Sequence, residues 1–143
     1  MNLDELRQQH DTIEALARRF QQAVADEGSP QRLGTLRWQF ARELMAHLAV
    51  EDRLFYPNIQ RQSHEALRTM AARLQIEMAP LADRFSAYLA HWSDERIAEN
   101  WPAFCRETRN MLSAILARVE KEERLLMPLL QEAGLNPLLK RAG

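Results

Sequence analysis

Four side chains in this sequence combine the chemistry and the spacing needed to share one cation. His47 and Glu51 stand four residues apart in HLAVEDRLFYP (residues 47–57), so on a helix both side chains leave the same face. Leu44, Leu48, Leu54 and Phe55 surround them at helical spacing, which sets an imidazole and a carboxylate inside an apolar stripe. His10 sits in a second stripe with Leu3, Leu6, Ile13, Ala17 and Phe20, and Glu122 in a third with Met111, Ile115, Val119, Leu126 and Leu129. A buried carboxylate without a partner is costly, or shifts its pKa until it is neutral. Two carboxylates facing one interior therefore call for a shared cation. Two imidazoles and two carboxylates on facing helices are a donor set that suits a first-row divalent metal.

Four long helices would have to carry these groups. Helical periodicity predicts helix A over about 4–26, ended by EGSP at 27–30, and helix B over 30–59 with Pro57 near its end. Ser63 is the expected N-cap of helix C, which carries Met70, Leu74, Met78, Leu81, Phe85 and Leu89 to about residue 91. Pro80 inside that pattern predicts a kink or an irregular turn, because proline removes an amide donor and its ring clashes with the preceding turn. SDER (93–96) caps a short segment, and Pro102 suits the first turn of helix D, expected over 102–132. Helices of this length with short connections predict an all-α, antiparallel up-down-up-down four-helix bundle occupying residues 1–143 as one domain.

A weak internal repeat supports this arrangement. The pairs Glu51/Glu122, Arg53/Arg124, Leu54/Leu125 and Pro57/Pro128 all stand 71 residues apart, so helices C and D read as a copy of the hairpin A and B. The same offset puts Arg118 in the place of His47. Met78, followed by Leu81 as His10 is by Ile13, is the counterpart of His10.

The set His10, H47LAVE51DRLFYP and E122ERLLMP resembles the hemerythrin-like family, the cation-binding HHE domain, over roughly residues 3–132. Its most specific part is HxxxE followed by an aromatic residue and a proline. The resemblance implies a four-helix fold built around a carboxylate-bridged di-iron centre that binds oxygen or senses oxygen, iron or redox state. It also implies that His10, His47 and Glu51 are ligands from helices A and B, and Glu122 the second bridging carboxylate. Two positions depart from the family pattern. Helix C reads Glu77-Met78 where the family has an EH pair, and helix D reads R118VEKE122 where it has HxxxE. One iron's terminal histidines are thus missing, and the retained set suits one metal per chain: iron, or else zinc or manganese.

Arg118 opens a further alternative. A guanidinium does not ligate metal and stays charged. Pointing inward, it would replace the missing cation and hold Glu51 and Glu122 through charge-assisted hydrogen bonds, with no metal required. Pointing outward, it would pair with Glu122 along the helix or with solvent.

Composition narrows the remaining classes. The chain has 143 residues, 46% of them hydrophobic and 27% charged, with a formal net charge of −1 and a single cysteine, Cys105. Near-neutral charge gives no reason to expect nucleic acid or an anionic membrane as partner. One cysteine without a CxxC or Cys-His pairing supports neither a disulfide frame nor a nucleophile. No signal-peptide pattern and no apolar run of about 20 residues is present, so the expected setting is cytoplasmic. His64 and His91 are expected to be surface or capping residues. The methionines Met45, Met70, Met111 and Met127 are expected in the core, and Trp38, Trp92 and Trp101 in packing. EKEER (120–124) reads as a mostly solvated face, and the tail NPLLKRAG would fray or dock through Leu138 and Leu139. Two functions follow. One is a hemerythrin-like cation-binding protein with a partial, mononuclear non-haem site for oxygen, iron or redox sensing or handling. The other is a metal-free helical interaction or regulatory module in which Arg118 replaces the metal. The partner expected for either is another protein or a second copy of the chain. Nothing in the sequence names a substrate.

Overall fold

A computed structural model describes residues 2–134. The described residues are helical and contain no strand. They run as α1 (Leu3–Ala23), α2 (Leu36–Val50), a π-helical turn π1 (Glu51–Phe55) and α3 (Tyr56–Gln60). Next come α4 (Glu65–Met78), α5 (Leu81–His91), the short α6 (Asp94–Glu99), α7 (Trp101–Lys121), a second π-turn π2 (Glu122–Leu126) and α8 (Met127–Glu132). Four rods result: α1, then α2–π1–α3, then α4–α5, then α7–π2–α8, in the up-down-up-down order of a four-helix bundle. Leu138 and Leu139 lie outside the described residues.

The boundaries differ from the expected ones for local reasons. Helix A ends at Ala23 rather than near 26, and its end is held from α7. Arg109 donates to the Val24 carbonyl at 3.0 Å and Trp101 Nε1 to the Asp26 carbonyl at 2.9 Å. Helix B begins at Leu36 rather than 30, after a turn in which Gly34 takes φ +55°, a left-handed conformation that glycine tolerates best. Pro80 interrupts the third rod outright, between Met78 and Leu81. The N-cap of that rod is His64, not Ser63, with Nδ1 accepting from the Leu67 amide at 3.1 Å.

Packing splits into two apolar clusters. One joins Phe20, Phe40, Phe85, Phe104 and Trp92 with the leucines of one half of the bundle. The other joins Leu3, Leu6, Phe55, Tyr56, Ile59, Leu67, Leu74, Met78, Leu126 and Leu130. On every rod the change from one cluster to the other falls at the same depth. It lies between Leu6 and Ile13 on the first rod and between Leu48 and Phe55 on the second. On the third it lies between Met78 and Leu81, and on the fourth between Val119 and Leu126. The buried polar residues His10, His47, Glu51, Arg118 and Glu122 lie at that level or within one residue of it.

Two expected core residues are outside. Trp38 is 54% exposed and lies under the guanidinium of Arg37, 4.4 Å from the ring centroid, whereas Arg37 itself turns inward to the Trp92 carbonyl at 2.7 Å. Leu54 is 51% exposed, because the extra residue of π1 rotates it away from the stripe that Glu51 and Phe55 share. Met45 and Met70 are only partly buried, against the two clusters. Phe20→Ala should therefore lower stability by about 3–5 kcal/mol, while Trp38→Ala should change it by about 0.5 kcal/mol or less. Urea unfolding of the two variants checks this, and equal losses would contradict the packing described.

Candidate metal centre

Each glutamate of the site opens a π-turn. The Tyr56 amide donates to the Glu51 carbonyl and the Met127 amide to the Glu122 carbonyl, five residues apart in both cases. The sequence supplies a cause, since a proline follows each glutamate by six residues, at Pro57 and Pro128. In an uninterrupted α-helix that ring would collide with the carbonyl four residues back. Widening the turn by one residue relieves the clash and directs both carboxylates into the bundle. Single π-turns of this kind recur at functional sites.

One ligand atom from each of His10, His47, Glu51 and Glu122 lies within 4.8 Å of the others. All four residues are buried. His47 Nε2 stands 3.0 Å from Glu51 Oε1, and His10 Nε2 stands 3.5 Å from Glu122 Oε1 and 3.8 Å from Glu51 Oε2. The imidazoles are oriented from behind. His10 Nδ1 is 2.6 Å from Glu123 Oε1, and His47 Nδ1 is 2.7 Å from Gln9 Oε1. Both of those oxygens only accept, so each Nδ1 carries a proton, which leaves each Nε2 as the nitrogen that would face a bound metal. Glu122 is anchored by Tyr56, whose hydroxyl donates to Oε2 at 2.6 Å.

The atoms that face one another have no hydrogen-bond partner. His10 Nε2, His47 Nε2, both oxygens of Glu51 and Oε1 of Glu122 are buried and unsatisfied. Nearly all buried polar groups in proteins are paired, and here the Arg118 guanidinium, 3.2 Å from Glu51 Oε1, is the one fixed cation among the described residues that reaches this cluster. A cation answers all five at once. Imidazole nitrogen and carboxylate oxygen are suitable ligands for iron, zinc or manganese, so the residues present fit a metal ion.

Arg118 points inward. Its guanidinium is buried, with one terminal nitrogen 3.2 Å from Glu51 Oε1 and 3.1 Å from Asp52 Oδ1. The other terminal nitrogen donates to the Met78 carbonyl at 3.4 Å, and Nε lies 3.9 Å from Glu122 Oε1. Met78 packs in the apolar cluster with Leu74 and Leu126, and the neighbouring Glu77 pairs instead with Lys121 at 3.2 Å. The place of the missing imidazoles thus holds a thioether and a fixed positive charge.

Four residues of the site are not apparent from helical spacing alone: Gln9, Asp52, Tyr56 and Glu123. Three of them directly adjoin a ligand in sequence, and Asp52 and Glu123 occupy the same position in the 71-residue repeat. EKEER is mostly solvated as expected, with Glu122 buried, and the partly exposed Glu123 adds a role as the partner of His10.

These contacts gather His10, His47, Glu51 and Glu122 into one buried cluster that could hold a metal ion in an all-helical bundle. The chain belongs to the hemerythrin HHE cation-binding domain family, which matches residues 1–130. No curated protein and no solved structure matches it.

Without a metal ion the cluster holds protons. Burial lowers the pKa of His10, but the Glu122 and Glu51 carboxylates outweigh it and bring the imidazole up to about 10. Burial and repulsion by Glu51 push Glu122 up to about 8. Burial also opposes ionisation of Glu51, yet hydrogen bonding from Glu122, His10 and His47 holds it well below the usual carboxylate range. For His10 and Glu122 the folded pKa exceeds the unfolded one, so their contribution to stability is fully present below the unfolded value and is lost as pH rises through the folded one. Glu51 acts in the opposite sense, at acidic pH only. The melting temperature of chelator-treated protein should therefore fall from about pH 4.5 to 10, a window that Glu122 opens and His10 closes. Divalent metal should bind more tightly across the same range, because it displaces those protons. Thermal melts and metal titrations at several pH values measure both. A flat pH profile for the stripped protein would contradict the shifts.

Proposed function

We propose that the protein holds one divalent metal ion at His10, His47, Glu51 and Glu122, iron first and zinc or manganese otherwise. We propose further that occupancy serves oxygen, iron or redox sensing or handling rather than oxygen carriage by a di-iron pair. The convergence of two imidazole nitrogens and two carboxylates within 4.8 Å of one another carries this reading. When bound, iron would supply a Lewis-acidic, redox-active centre in a dry interior. The chain's own groups do the rest. His10 and His47 bind through Nε2, and Glu123 and Gln9 hold their tautomers. Tyr56 fixes Glu122, and Arg118 repels a second cation from the half of the site whose histidines are missing.

One observation favours a second reading. The guanidinium of Arg118 already stands 3.2 Å from Glu51 Oε1, so the carboxylates have one cation built in. A metal-free interaction or regulatory module, acting on a protein partner or a second copy of the chain, would use it in this way.

Metal content and unfolding of three proteins separate the readings. The parent, loaded anaerobically with ferrous iron or with zinc, should retain one ion per chain, and His10→Ala should lose it. Arg118→Ala should destabilise the stripped protein by about 3–5 kcal/mol, as expected when one partner of a buried ion pair is removed. Added zinc should recover part of that loss by binding only the folded state. Retention of no metal by the parent, together with the same loss for Arg118→Ala, would favour the metal-free module. Two irons per chain would overturn both readings.

A further inference from the structure

Resting on the single-metal reading above, we propose that the fixed charges around the site select a divalent over a trivalent cation, with Arg118 setting that preference. The charges can be counted from the contacts. Glu51 and Glu122 contribute two negative charges inside the site, and Arg118, equally buried, contributes one positive. Three charged side chains adjoin these: Asp52, 3.1 Å from Arg118; Glu123, 2.6 Å from His10 Nδ1; and Arg7, 3.7 Å from Glu123. The side chains of Asp52, Glu123 and Arg7 are 35%, 34% and 38% exposed, so water screens them and each weighs less than a buried charge. Tyr56 stays a neutral donor, because burial and the two carboxylates push its pKa far up. Glu77 is engaged by Lys121 and Arg73 at the surface and lies outside the count.

Taken at full weight, the set carries a charge of about −2. With the three screened groups removed it carries about −1. A dication therefore leaves the centre between neutral and one positive charge. A trication leaves it between one and two positive charges, next to a guanidinium that cannot release its proton. Excess charge in a low-dielectric interior is strongly unfavourable. A histidine at position 118, neutral when it ligates, would not impose this limit. Iron held here is accordingly favoured in the ferrous state, and zinc or manganese(II) fit the same balance. Arg118 acts as a positioning and charge-setting residue without touching the ion.

Zinc(II) and gallium(III), neither of which changes oxidation state under these conditions, test valence directly. Each is buffered with nitrilotriacetate, and bound metal per chain is measured after gel filtration, with melting temperature as a second readout. Arg118→Gln should raise the ratio of gallium to zinc affinity at least about tenfold over the parent, and Arg118→Lys, which keeps the charge, should hold the ratio near the parental value. Asp52→Asn, at a partly exposed position, removes a negative charge and should move the ratio the other way, toward zinc. It keeps the test decisive if Arg118→Gln does not fold. Zinc binding with a ratio that neither substitution moves would overturn the valence inference alone. Failure of the parent and every variant to bind either ion would overturn the metal-centre reading, and the inference with it.

Discussion

Two carboxylates held within 4.8 Å of each other, out of reach of water, are the constraint around which this bundle is organised. At an effective dielectric of about 20, like charges at such a separation repel by ~4 kcal/mol, before the cost of removing each from solvent. Positive charge must converge on them from elsewhere in the chain. Arg118 supplies part of it permanently, and a proton at His10 or Glu122 supplies more. The inward nitrogens of His10 and His47 are placed either to share those protons or to ligate a cation in their stead. The apolar stripes of all four rods are interrupted at one depth because that is where this balance is struck.

The rest of the fold follows from delivering those groups with their orientation fixed. Pro57 and Pro128 force a π-turn after each glutamate, so the backbone there is widened by steric necessity rather than by loose packing. Glu123 and Gln9 stand behind the imidazoles and Tyr56 behind Glu122, each at 2.7 Å or less. The two apolar clusters above and below exclude water and keep the dielectric low. Low dielectric strengthens the pull on a cation and increases the penalty when none is present.

Helical spacing and the prolines made the bundle legible in the sequence, and the 71-residue repeat placed Glu51 opposite Glu122 and Arg118 where an imidazole would stand. His10, His47, Glu51 and Glu122 were visible because a titratable residue inside an apolar stripe must find its partner in the interior. Glu123, Asp52 and Gln9 were not, because an acidic or amide residue beside a ligand looks like any solvated helix position until the register is known. That register depended on the π-turns, which also moved Leu54 out of the stripe. The direction of Arg118 was open for a similar reason. A long side chain four residues from Glu122 can pair with it from outside or from within, and only the packing of α4 and π1 against α7 decides.

Anomalous diffraction at the zinc edge, from crystals of zinc-loaded protein, would locate the cation itself. A single buried metal centre predicts one peak per chain, at bonding distance from His10, His47, Glu51 and Glu122, with the Arg118 guanidinium still inside the site and paired with Asp52. Two peaks among these residues, or a peak only at surface carboxylates with His10 and His47 unliganded, would contradict it.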